Sequence, residues 1–224
     1  MATDCQSRLS FLFITTIFFI SVVVVVDGVP PSCERIECPS YDVVDKGNGF
    51  EIRRYNSTAW MSTPKIENIS FVGATRTGFL LLFDYIQGKN EYGAKIEMTA
   101  PVITQVSPSD GPFCASSFVV SFYVPKKNQA DTPPAEGLHV QRWGVMYAAV
   151  RQFGGFVSDD SIGGEAAALY SDLAGSHWAS AVDKGRSADP TSDYTVAQYN
   201  SPFEFSGRVN EIWMMFDPED GYSS

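Results

Sequence analysis

Histidine is almost missing from this sequence, with two residues, His139 and His177, in 224. Neither stands in a nucleophile-elbow or papain-like setting, so acyl transfer by a paired nucleophile and base has no visible seat. Neither falls in a finger-like spacing with the cysteines, which removes a zinc motif as well. Phosphate-cradling loops are also lacking: Gly154-Gly155 and Gly163-Gly164 come without the lysine and hydroxyl residue such loops need, and read as turns. The acidic pair Asp159-Asp160 suits a helix N-terminus, where it favours the macrodipole, better than acid–base work. No enzyme is supported by these residues. Positive charge is scarce too, 16 Lys and Arg against 26 Asp and Glu. A net charge of −10 argues against nucleic acid and against attraction to anionic lipid.

Long hydrophobic runs number one. Leu9 to Val26 is almost unbroken, preceded by Arg8 and followed by small residues. This is the pattern of a signal peptide, with cleavage expected after Gly28; an uncleaved anchor is the rival, since 18 residues just span a hydrocarbon core. The chain then divides into a signal peptide (1–28), an N-terminal arm (29–40), a single domain (41–217) and a short tail (218–224). Residues 29–224 suffice for one domain with a sizeable core. The expected setting is the secretory pathway, extracellular or vacuolar, with no membrane contact after cleavage and a monomeric state.

Cysteine is sparse and, beyond the leader, odd in number: Cys33, Cys38 and Cys114. Either Cys33 pairs with Cys38 across a short loop, or one of them staples the arm to Cys114, with one thiol left over. Asn56-Ser57-Thr58 and Asn68-Ile69-Ser70 are glycosylation sequons, placing Asn56 and Asn68 on exposed backbone if modified.

What is present is pattern. Tyr41 to Val44 and Phe50 to Tyr55 flank the turn Lys46-Gly47-Asn48-Gly49 and read as a hairpin, with Thr58 to Ser62 continuing the extended pattern. Asn68 or Ser70 caps a helix running to about Gln87 and stopped by Gly88. Val72, Phe79, Leu80, Phe83 and Ile86 share one face of it, a stripe that something must cover. Lys95 to Val102 reads as a strand paired with Ser117 to Val124, and Pro125 to Pro134 as an exposed loop.

The second half repeats this order. His139 to Trp143 echoes Glu51 to Tyr55, Met146 to Phe153 stands for Thr58 to Ser62, and a helix from about Ser161 carries Ala166, Leu169, Tyr170 and Leu173. Tyr194 to Tyr199 and Glu211 to Phe216 close the set. Two such units suggest an α+β fold, a distorted antiparallel β-barrel of two pseudo-symmetric halves flanked by two α-helices. Aromatic residues make up 13% of the chain; most belong to the core. A flat hydrophobic ligand could lie where a helix stripe meets the sheet, with Arg76 at the rim to meet a carboxylate.

Particular strings resemble the SOUL haem-binding protein family: Glu51-Ile52-Arg53-Arg54-Tyr55 with Ala59-Trp60, Tyr85-Ile86-Gln87-Gly88-Lys89-Asn90, Lys95 to Val102, Gly111-Pro112-Phe113, Phe153-Gly154-Gly155-Phe156, Tyr199 to Phe203, and Arg208-Val209-Asn210-Glu211-Ile212-Trp213. They cover roughly Tyr41 to Phe216. The resemblance implies the same two-halved barrel and reversible, non-covalent binding of haem or other tetrapyrroles beside the first helix, as carrier or buffer. It assigns Arg76, Phe79, Leu80 and Phe83 to the groove. Met98 is a weak sulfur ligand to iron or a packing residue. Asp84 stands where some members have a basic residue, and neither histidine aligns with a family ligand. Ala168 to Ala174 lacks the charge pattern of a death-regulatory helix found in some animal members. The alternative reading is a secreted protein-interaction module that kept the fold and lost the ligand.

Overall fold

The computed structural model describes residues 28–108, 115–188 and 192–217. The apolar run Leu9 to Val26, Gly111-Pro112-Phe113, Cys114 and the tail 218–224 lie outside these. Among the described residues no helix is long and apolar enough to cross a membrane.

Ten strands form one antiparallel sheet: β1 (Tyr41–Lys46), β2 (Glu51–Tyr55), β3 (Thr58–Ser62), β4 (Ile66–Asn68), β5 (Val102–Ser107), β6 (Ser116–Tyr123), β7 (His139–Trp143), β8 (Met146–Gly154), β9 (Tyr194–Gln198) and β10 (Val209–Phe216). The order is β1-β2-β8-β10-β9-β5-β6-β3-β7, with β4 on β6. The sheet curls into a half-barrel with β1 and β7 at its edges, and helices α1 (Phe71–Ile86), α2 (Lys126–Gln129), α3 (Asp159–Leu173) and α4 (Ala179–Ala188) complete the fold.

The repeat in the sequence is a repeat in space. About the β9–β5 junction, β10 answers to β6 and β8 to β3. Each half's first strand crosses over: β2 pairs with β8 of the second half, and β7 pairs with β3 of the first. The exchange ties the halves into one sheet, so neither can bury its core alone.

Strand alternation divides the side chains between two faces. Inward lie Tyr55, Trp60, Tyr123, Tyr199 and Trp213, with Cys33, Ile36 and Cys38 of the arm packed against them. Cys33 and Cys38 are joined as a disulfide with Cα atoms 5.5 Å apart. Outward, α1 lies on β6 and β4, while α3 and α4 cover β8 and β10. Two glycines permit these approaches: a Cβ on Gly78 would overlap Val120 of β6, and one on Gly185 would sit 2.6 Å from the carbonyl oxygen of Met215. The edge strand β1 is broken by a bulge between Val43 and Asp45, which disrupts its free row of backbone groups.

Three sequence expectations change. The strand begins at Val102 rather than Lys95, because the chain from Asn90 to Ile96 serves the end of α1 instead. The Ile96 amide donates to the Ile86 carbonyl, and Asn90 Nδ2 donates to the carbonyls of Tyr85 and Ala94. Pro101 then offers no N–H for a ladder. Within the Pro-rich loop, Lys126–Gln129 makes one helical turn after Pro125. Helix α4, unforeseen, covers β10; its run Ala-Ser-Ala-Val-Asp-Lys-Gly-Arg carries few apolar residues and a glycine, so it gives a weak periodic signal.

Candidate functional site

Helix α1 starts at Ser70, whose hydroxyl oxygen accepts from the Gly73 amide. The same hydroxyl donates to Asp159 Oδ2 (2.9 Å), and the Val72 amide donates to Asp159 Oδ1 (3.1 Å). Asp159 opens α3, so one carboxylate satisfies an orphan N–H of α1 while favouring the dipoles of both helices. At the far end Gln87 caps the helix and Gly88 takes φ +108°, a conformation that favours glycine.

The face of α1 that packs on the sheet is Phe71, Ala74, Gly78, Leu82 and Tyr85. The stripe expected to be covered lies beside it and faces outward. Val72, Leu80 and Phe83 are 47%, 53% and 40% exposed, and only Ile86 of the stripe is buried. This corrects the sequence reading: both sets recur at helical spacing, and periodicity alone cannot say which one meets the sheet. Arg76 stands one turn from Val72 on the same side, exposed, and no ion pair engages it among the described residues. Phe79 is half-buried. Its ring lies nearly parallel to that of Phe83 (centroids 5.8 Å, 15°) and meets Phe122 of β6 edge-on at 5.4 Å. The result is an apolar shelf about three turns long, roughly 16 Å, with the Arg76 guanidinium one turn in from the Val72 end and two aligned rings at the other.

Met98 is half-buried against the cluster of Leu82, Ile86 and Phe122 that supports this shelf. Asp84 is paired with Lys89 at 2.7 Å, so the acid at the ring end is neutralised locally. His177 is remote in its contacts, against Trp178 (4.6 Å) and Asp45 (3.7 Å); His139 opens edge strand β7 and is exposed. Among the described residues no group of three or more His, Cys, Asp or Glu could hold a metal ion. Asn56 is exposed in the turn between β2 and β3, and Asn68 ends β4 with its side-chain oxygen accepting from the Ser70 amide (3.0 Å).

The inner face holds a polar cluster that sequence reasoning missed. Arg53 donates to both oxygens of Glu211 (2.9 and 3.1 Å) and to Glu51 (2.9 Å), and lies 4.2 Å above the Tyr41 ring. Tyr199 and Trp213 also donate to Glu211, at 2.8 and 2.7 Å. Burial opposes the Arg53 charge, yet Glu211 holds its pKa above the ordinary value. For Glu51, burial would raise the carboxyl, but Lys46 and Arg53 bring it below the usual range. Both Arg53 and Glu211 sit in the strings that carried the family resemblance, which marked them without showing that they meet.

A comparison with protein families matches the SOUL heme-binding protein family over residues 36–215. Heme-binding protein 2 of Homo sapiens is 35% identical over 190 residues, covering 82% of this chain and 88% of that protein. Heme-binding protein 1 of Xenopus laevis is 29% identical over 172 residues, covering 75% and 84%. Among solved structures, a chain of the EcmrR–DNA complex aligns with a TM-score of 0.51 at 10% identity, covering 75% of this chain and 57% of that one, a likeness of fold alone. With this coverage added to the two-halved sheet, the chain belongs to the SOUL heme-binding protein family.

Proposed function

We propose that the protein binds haem or another tetrapyrrole reversibly on the α1 shelf and acts as a carrier or buffer in the secretory pathway, outside the cell or in the vacuole. The observation that carries this reading is an apolar helix stripe left open at the surface beside an exposed arginine that no ion pair engages among the described residues. The names of its relatives, both heme-binding proteins, agree with it.

The ring would lie on Val72, Leu80 and the paired rings of Phe79 and Phe83, and Arg76 would pair a propionate. Fully burying a Val, Leu or Phe side chain contributes roughly 1.5 to 3 kcal/mol. Covering the exposed halves of four such residues gives on the order of 4 kcal/mol. Micromolar binding needs about 8 kcal/mol, and burial of the macrocycle's own apolar surface supplies the difference. The iron, when present, brings its own coordination chemistry; the residues here bind and orient the ring without a histidine at the shelf. Metal-free protoporphyrin should therefore bind about as well as haemin.

The test is a titration of residues 29–224 with haemin followed by absorbance in the Soret region. Saturable one-to-one binding, weakened several-fold by Arg76→Ala, is the expected result. A folded domain that binds neither haemin nor protoporphyrin at micromolar concentration would overturn the proposal.

A further inference from the structure

Helix α1 carries two charged side chains, Arg76 and Asp84, of opposite sign. Arg76, Leu80 and Asp84 follow one another at steps of four, each a turn above the last. The two charges therefore lie about 12 Å apart along the axis, with Leu80, 53% exposed, between them and the paired rings of Phe79 and Phe83 beside the row. A macrocycle resting on Leu80 and the rings turns one edge to Arg76 and the opposite edge to Asp84.

The two ends are not equivalent. Arg76 is exposed and no ion pair engages it among the described residues, so its guanidinium is open to a carboxylate. At the other end the Asp84 carboxylate holds the Lys89 ammonium at 2.7 Å, and just past the helix Glu97 holds Lys127 at 3.0 Å. Helix stability does not account for Asp84. A carboxylate in the last turn meets the negative end of the helix dipole, and α1 has no basic residue in that turn. An ion pair whose side chains are 52% and 72% exposed adds little. What the pair does is commit Lys89: a ligand carboxylate arriving there meets the Asp84 carboxylate in place of a free ammonium.

We propose that Asp84 is a specificity-determining residue of the shelf. By holding Lys89 it selects tetrapyrroles whose carboxylates lie along one edge, turned to Arg76, and disfavours those carboxylated on opposite edges. This rests on the shelf being the tetrapyrrole site and names the class of ring that the site takes. A carboxylate on the far edge must either stand against Asp84 or draw Lys89 away from it, and discrimination of this kind comes from a repulsive element as well as an attractive one.

The test is a pair of titrations of the chain as a secreting host produces it, followed by Soret absorbance. The probes are protoporphyrin IX, with its two carboxylates on one edge, and coproporphyrin III, with four divided between opposite edges. The native chain should prefer protoporphyrin several-fold. Asp84→Asn frees Lys89 and should narrow that ratio by about threefold, the size of one exposed charge pair, through tighter coproporphyrin binding. Adding Lys89→Met to Asp84→Asn should restore the native ratio, which a merely structural role for Asp84 would not do. Equal native affinity for the two probes, whether through the exposed Lys95 beyond the helix or another cation, overturns the proposal. So does a ratio that Asp84→Asn leaves unmoved, or one that stays narrowed in the double variant. A native chain that binds neither probe overturns the shelf reading and this proposal with it, whereas an unmoved ratio with protoporphyrin bound overturns this proposal alone.

Discussion

At the scale of single residues, the inner polar cluster and the outer arginine follow opposite rules. Arg53 and Glu211 are fully buried and bonded to one another and to Tyr199 and Trp213. Removing one partner of such a pair strands the other charge, a loss of about 3 to 5 kcal/mol. Glu211→Ala should therefore lower the denaturant midpoint steeply, while Arg53→Met with Glu211→Leu should lie closer to the native protein. Equal stability of the single variant and the native chain would contradict this. Arg76 is exposed and no ion pair engages it among the described residues, so its loss should cost binding and leave the midpoint unchanged. Burial sets a pH limit as well, pushing the Tyr85 and Tyr194 phenols up to about 12 from 10.0. A raised folded-state pKa contributes stability that is complete below the unfolded value and lost as pH rises through the folded one. Stability should hold to about pH 10 and fall from there toward pH 12, with tyrosinate absorbance rising together with unfolding; a flat profile across that window would refute the assignment.

At the scale of elements, α1 shows how far the sequence could be read. Its start and its end were legible, since Asn68, Ser70 and Gly88 are local signals that need no tertiary context, and the structure selects Ser70 of the two candidate caps. Which face it buries was not. Phe71, Ala74, Gly78, Leu82 and Tyr85 recur as regularly as Val72, Leu80 and Phe83, and their smaller residues make them look the less apolar set. The small residues are the reason that face packs. Gly78 lets the helix axis approach β6 until Val120 fills the space a Cβ would need. Gly78→Val should push α1 outward and cost about 1 to 3 kcal/mol, visible as a lowered Tm together with weaker haemin binding. A wild-type Tm in that variant would mean the contact is not tight. The segment from Lys95 was misread for a related reason, because its alternating pattern suits a strand while the Ile96 amide is taken by the end of α1 and Thr99 and Ala100 bridge to Glu37 of the N-terminal arm.

At the scale of the whole molecule, the doubled order of strands and helix in the sequence announced two halves, and the structure shows what joins them. The exchange of β2 and β7 between halves was beyond sequence reading, since pairing partners far apart leave no local mark. That exchange makes one curled sheet, with aromatic and polar groups on the inner face and helices outside. The outer helix is where the central claim rests. The most direct test is an NMR map of residues 29–224 titrated with diamagnetic zinc protoporphyrin, whose ring current displaces signals from side chains lying against it. The account predicts the largest upfield shifts at Val72, Leu80, Phe79 and Phe83, with Arg76 side-chain signals moving and the inner-face Tyr55 and Trp213 still. Shifts centred instead on Phe156, Phe203 and Phe205, or on the inner face, would place the ligand elsewhere and contradict the shelf.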